Sequence, residues 1–217
     1  MRSAIAAAMS RSKREIPHFY LTTTIPMLAA QRWLSERNAA RPVAERVLPA
    51  ALLLRAVALA LRAHPQLNGF WIDGRFQPGA GIHVGWATAL RGGGLVAPAV
   101  HDADGKTLDS VMSELRDLVI RARSNALRSS ELSDSTITIT SLGDEGVEAV
   151  HGIIYPPQVA LVGFGSPTER PALVDGVLQS VPVLTATLSG DHRAIDGRRA
   201  ALFLAAVQRY LQTPEAL

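Results

Sequence analysis

His192 and Asp196 stand four residues apart in the stretch 185–198, which reads TATLSGDHRAIDGR. Imidazole is the side chain whose unperturbed pKa lies nearest neutrality, so His192 is a candidate general base. The apolar alternation before it predicts a strand ending near Ser189, and a helix opens at Asp196 and Gly197. His192 then falls in a tight segment beside Asp191, where a rigid scaffold can aim one side chain. Asp196 suits the helix N-cap, its carboxylate accepting from a helix amide. A second polar cluster, TITITSLG at 136–143, ends a strand in the hydroxyls of Thr140 and Ser141 before a glycine turn.

The chain that must position these groups has 217 residues, 47% hydrophobic and 19% charged, with 17 Gly and 13 Pro. That length buries a sufficient core without staples. No long linker, repeat or low-complexity tract divides it, so 1–217 reads as a single domain. With no Cys, disulfides, thiolate metal sites and a cysteine nucleophile are excluded. The net charge is +3 and the basic residues are scattered, without the run that nucleic-acid binding calls for. The longest apolar stretch, 49–61, is interrupted by Arg55 and too short to span a bilayer. The first fifteen residues have the pattern of neither a signal peptide nor an anchor. These features predict a soluble, cytoplasmic protein.

Periodicity predicts helices over 2–14, 27–38, 47–63, 107–127 and 196–210, the last turning Leu202, Phe203, Ala206, Val207 and Tyr210 inward. Strands are expected over 18–25, 70–72, 83–90, 95–100, 136–141, 159–164 and 181–188, with glycines 92, 93 and 94 breaking the central run. Several strands follow each other directly. That favours an α/β (α+β) domain with a mixed sheet flanked by helices over a doubly wound dinucleotide fold.

Taken in order, MRSAIAAAMSRSK, IPHFYL, GLVAPAV, TITITSLG, IIYPPQ and DHRAIDG resemble the catalytic domain of the 2-oxo acid dehydrogenase dihydrolipoyl acyltransferases over nearly the whole chain. That family shares its fold with chloramphenicol acetyltransferase. The resemblance implies a homotrimer with active sites between subunits, where His192 of one chain faces the Thr140 hydroxyl of its neighbour. Coenzyme A and a dihydrolipoyl group are the implied substrates, with no metal. The implied chemistry has His192 take the thiol proton and Thr140 donate to the oxyanion. Ser141, on the opposite strand face, is the second choice for that donor. For Asp196 the resemblance leaves a catalytic and a structural role open. We favour the structural one, with Arg11, Lys13 or Arg14 as candidate cations. The remaining histidines (18, 64, 83, 101 and 151) lack metal-ligand spacing and read as core, cap or surface.

The sequence also departs from that pattern. Lys13 and Lys106 are the only lysines, and neither lies in a lipoyl-type hairpin. The lipoyl group is therefore expected in trans, from a lipoyl-bearing protein or other components of a 2-oxo acid dehydrogenase complex. The chain then reads equally as a stand-alone enzyme or as an excised core. Asp144 and Glu145 stand where relatives carry small or apolar residues. The signals for acyl preference conflict: Arg198 resembles succinyl-transferring relatives, and IPHFYL resembles acetyl- and branched-chain-transferring ones. The end at TPEAL lacks the apolar tail that joins relatives' trimers, implying a free trimer. Two other readings stay open, a non-catalytic trimeric scaffold and an acyl-CoA-dependent O-acetyltransferase of a small molecule. Condensation domains share a related histidine signature, but Asp191 replaces its first His and they are about twice as long.

Overall fold

The longest apolar run of the chain becomes its central helix. In the computed structural model, which describes residues 2–90, 93–174 and 176–217, this is α3 (Pro49–Ala63). Ten of its residues between Ala51 and Leu61 are buried. A helix apolar almost all round must be covered on several sides, and α3 packs against both α4 (Leu108–Arg123) and α6 (Gly197–Gln212). Each fully buried leucine contributes about 1.5–3 kcal/mol of burial. Arg55 is the exception within that helix. Its Nη1 donates to the carbonyls of Ala103 (2.9 Å) and Asp104 (2.6 Å), tying the loop before α4 to the core.

Helices α1 (Arg2–Glu15) and α2 (Leu28–Asn38) flank strand β1 (His18–Pro26). Then come β2 (Gly69–Ile72), β3 (Arg75–Pro78), β4 (Val84–Trp86), β5 (Thr88–Ala89), β6 (Leu95–Val96) and β7 (Ala99–Val100). After α4 follow a short helix α5 (Ser129–Ser133) and the strands β8 (Ile137–Ser141), β9 (Ala160–Phe164), β10 (Thr168–Val174) and β11 (Val177–Asp191). The main sheet has the order β1-β11-β9-β8-β4-β7, with β10 also paired to β11. The β9–β8 and β8–β4 pairs are parallel and the others antiparallel, so the sheet is mixed.

Alternation assigns the two faces of this sheet. Ile137, Ile139, Val162, Phe164, Ala186 and Leu188 all join the core that the helices cover. On the opposite face lie Thr138, Thr140, Thr187 and Ser189, as the register requires. Residues 147–154 cross that second face. The Val147 carbonyl accepts from Ser166 N–H, Val150 from the Thr187 hydroxyl and Gly152 from the Ser189 hydroxyl. Gly163 makes room for the crossing, since a Cβ there would collide with the Val150 carbonyl and the Thr187 hydroxyl.

Several boundaries differ from the sequence expectation. The expected helix 107–127 stops at Arg123, and α5 follows separately. The strands expected over 83–90 and 95–100 each break in two, β5 and β6 forming a small sheet of their own. Gly92, one of the three glycines expected between them, lies outside the described residues. Leu202 is 51% exposed rather than inward, because at about 100° per residue it lies roughly 160° round α6 from Leu204 and roughly 140° from Val207, away from the buried stripe. The strand expected to end near Ser189 continues to Asp191.

α5 is anchored by Glu131, whose carboxylate accepts from Arg121 Nη1 (2.6 Å), Arg121 Nη2 (2.7 Å) and the backbone N–H of Arg128 (2.7 Å). The Arg121 guanidinium holds its carboxyl down at about 2. A depressed carboxyl contributes stability that is present above its unfolded value and is lost as pH falls through the folded one. Stability should therefore decline between about pH 4.5 and pH 2 through this group. In thermal melts run from pH 6 to pH 3, Glu131→Gln should flatten that decline and lower stability at pH 6 by about 1–3 kcal/mol.

Candidate active site

Strand β11 ends in a carboxylate with no solvent exposure. Asp191 is 0% exposed, and its backbone N–H donates to the Val159 carbonyl at 2.8 Å. Its carboxylate accepts from three groups of Arg193, the backbone N–H (3.0 Å), Nε (2.9 and 3.2 Å, to both oxygens) and Nη2 (2.7 Å). The Arg193 guanidinium lies over the Trp71 ring, 4.9 Å from its centroid. The Asp191 carbonyl also accepts from the N–H groups of Ala194 and Ile195. His192 is thus held by its neighbours on both sides, and its own N–H donates to the Pro17 carbonyl at 3.1 Å.

Its side chain remains open to solvent. The imidazole touches the Phe19 ring, with centroids 4.8 Å apart and planes at 55°. It makes no hydrogen bond to another described residue. Asp196 does not supply one, because it caps α6 by accepting from Arg199 N–H at 2.8 Å and pairs with Arg199 Nε at 3.3 Å. The cation at Asp196 is therefore Arg199, not Arg11, Lys13 or Arg14. Arg11 bonds Glu15 and Lys13 bonds the Tyr20 hydroxyl. A cation three residues into the same helix reaches the cap more readily than one on another element, and at this exposure the pair contributes at most about 1 kcal/mol.

Thr140 lies elsewhere. It is in register with Gly163 of β9, which is in register with Thr187 of β11. From Thr187 the chain runs five residues further to His192, towards the end of the sheet where β8 begins. Two strand spacings and five residues of rise separate Thr140 from His192 by roughly 19 Å within one chain. The Thr140 hydroxyl is half-buried and has no hydrogen-bond partner among the described residues. Ser141 is in register with the core residue Phe164, and its Oγ accepts from Gly143 N–H at 3.4 Å. One chain therefore does not bring the two key side chains together.

Two groups at the site escaped the sequence reading, the Asp191–Arg193 pair on Trp71 and the Phe19 contact. An acid and an arginine two apart across a candidate base are a usable signal, whereas the approach of Trp71 is purely tertiary. His18, read as core, cap or surface, has a definite task. Its Nδ1 lies 2.9 Å from the Ile16 carbonyl and its Nε2 accepts from Ile154 N–H at 3.1 Å. Burial lowers its pKa, favouring the neutral ring with the proton on Nδ1. Among the described residues no group of three or more His, Asp or Glu is placed to hold a metal, and no helix is long and apolar enough to cross a membrane.

Breaking the Asp191 pair should be costly, since it leaves a buried group without its partner. Asp191→Asn should lose about 3 kcal/mol in urea denaturation, the low end of the usual range because Arg193 is 32% exposed. Arg193→Lys keeps the charge but not the two-pronged geometry, and should recover only part. A loss below about 0.5 kcal/mol in Asp191→Asn would show that the pair does not hold the turn.

The family described as 2-oxoacid dehydrogenases acyltransferase (catalytic domain) matches residues 1–217. The dihydrolipoyllysine-residue acetyltransferase component of the pyruvate dehydrogenase complex of Zymomonas mobilis is 33% identical over 215 residues, covering 99% of this chain and 49% of that protein. The chain thus spans about half the length of this curated relative. A solved probable dihydrolipoamide acetyltransferase from Listeria monocytogenes superposes with a TM-score of 0.90 at 30% identity, over 98% of this chain and 91% of the other. A chloramphenicol acetyltransferase shares the fold, with a TM-score of 0.63 at 15% identity over 94% of each chain. The chain belongs to the 2-oxoacid dehydrogenase acyltransferase family and comprises its catalytic domain.

Proposed function

We propose that the chain transfers an acyl group between coenzyme A and a dihydrolipoyl thiol, as a homotrimer whose sites each combine His192 of one subunit with Thr140 of the next. The observation that carries this reading is the placement of the two side chains. An open imidazole on a clamped turn and an unpartnered hydroxyl at the other end of the sheet become one site only when two copies meet. The activities of the relatives supply the substrate class.

The chemistry suits these groups. A thiol with a pKa near ~8.5 is mostly protonated at neutral pH, and moving its proton to an imidazole near ~6.5 is uphill by about 2.7 kcal/mol. His192 takes that proton as the sulfur attacks the thioester carbon. The carbonyl oxygen gains the charge, and the Thr140 hydroxyl donates to it. Collapse breaks the original C–S bond, and the leaving thiolate takes the proton back from the imidazolium. Both thiols must be bound together, so positioning supplies much of the rate. Asp196 supports the site by starting α6 in place. Lys13 lies in α1 and Lys106 just before α4, so the lipoyl group comes from outside these residues, on a lipoyl-bearing protein or domain of a 2-oxo acid dehydrogenase complex.

Acyl transfer from acetyl-, branched-chain acyl- or succinyl-CoA to dihydrolipoamide tests the activity and identifies the acyl group. His192→Ala should lower kcat by about 10²–10⁴, and Thr140→Ala by about 10²–10³. Trimers reassembled from equal amounts of the two inactive chains should regain about a quarter of wild-type activity, because some interfaces pair the intact His192 with the intact Thr140. Failure to regain activity in properly mixed trimers would place both groups in one subunit's site and overturn the proposal.

A further inference from the structure

Phe19 and Gly190 face each other in the β1–β11 ladder. A Cβ on Gly190 would lie 2.5 Å from Cε1 and 2.8 Å from Cζ of Phe19. The ring therefore lies across β11 in the space that a side chain at 190 would fill. The partly buried ring packs on the main core, and from that seat it meets the His192 imidazole. A catalytic imidazole is ordinarily oriented by a carboxylate or a carbonyl on its second nitrogen. Here Asp191 is committed to Arg193 and Asp196 to Arg199, and no other described residue hydrogen-bonds the ring. What remains to restrain it is the aromatic contact.

We infer that Phe19 is the positioning residue of His192, with Gly190 as its seat. The inference rests on the reading of His192 as general base. Phe19 touches neither thiol nor thioester, and acts by limiting the rotamers that the imidazole can adopt. An exposed histidine side chain has three staggered χ1 wells and a broad χ2. Releasing the ring lowers the fraction in the productive pose, and turnover falls in proportion while substrate binding does not. Gly190 matters for a separable reason. Any side chain there pushes the Phe19 ring off its seat and so disturbs the imidazole from the far side.

The test compares Phe19→Leu, Phe19→Tyr and Gly190→Ala in the assembled protein. Phe19→Leu should lower kcat about 3–10-fold with both KM values unchanged, and Phe19→Tyr should restore it. In histidine-labelled protein, the His192 ring-proton resonances, identified by their loss in His192→Ala, should shift in Phe19→Leu and stay near wild type in Phe19→Tyr. Gly190→Ala should move both kcat and the resonances, and it serves if Phe19→Leu does not fold. Wild-type kcat and unmoved resonances in Phe19→Leu would overturn the inference, as would equal losses in the leucine and tyrosine variants. Undiminished turnover in His192→Ala would instead overturn the base assignment on which it rests.

Discussion

A carboxylate taken out of water must recover its lost hydration from fixed donors, and at the end of β11 Asp191 recovers it from one residue. Arg193 contributes a backbone N–H and two sides of its guanidinium, so the chain must turn within two residues of the strand end. That turn sets the course of the chain beyond it. It exposes His192, drops Ile195 into the core and delivers Asp196 to cap α6. Trp71 closes the outer face of the guanidinium, linking the turn to a part of the chain about 120 residues earlier in sequence. Replacing such a pair by apolar groups is often neutral for stability. Its value here is geometric, since a hydrophobic strand end would not dictate where the next side chain points.

The second constraint is sheet register. Ile137, Ile139 and their partners fix which face of β8 meets the helices, and the one-residue alternation then sends Thr140 to the opposite face. The segment 147–154 covers much of that face over β9 and β11, held by Thr187 and Ser189 hydroxyls. Thr140, on the next strand, has no hydrogen-bond partner among the described residues. The antiparallel course of β11 relative to β8 and β9 then carries His192 to the opposite end of the sheet from Thr140. The distance within one chain follows from the fold and is not a defect in the site.

The legible part of the sequence was the part governed by local periodicity. Helices α3, α4 and α6 and the buried strands β8 and β9 repeat apolar residues at periods that a single chain displays. The motifs around His192 and Thr140 identified the family for the same reason, since they are contiguous. The illegible part depends on partners far away in sequence. The extension of β11 to Asp191 follows from pairing with β1 and with Val159, and its start at Val177 from the hairpin with β10. The breaks inside 83–90 and 95–100 reflect different partners on the two sides, β8 and β7 for one piece and a private hairpin for the other. Asp196 pairs with Arg199, three positions ahead on its own helix, and not with the basic residues near the start that the motif order suggests.

The site divides its labour between two strands. Residues within the DHRAIDG run fix the backbone: Asp191 and Arg193 lock the turn, and Asp196 fixes the start of α6. None of them bonds the imidazole, so backbone order alone leaves the ring of His192 free about its own torsions. Restraint of the ring has to come from another strand, and β1 supplies it through Phe19 because Gly190 leaves the space open. The IPHFYL segment and the end of β11 that leads into DHRAIDG are thus two halves of one device, in register from Leu21 with Leu188 to His18 with Asp191. Asp191, Arg193 and the Pro17 carbonyl order the backbone of that histidine, and Phe19, seated over Gly190, faces its ring.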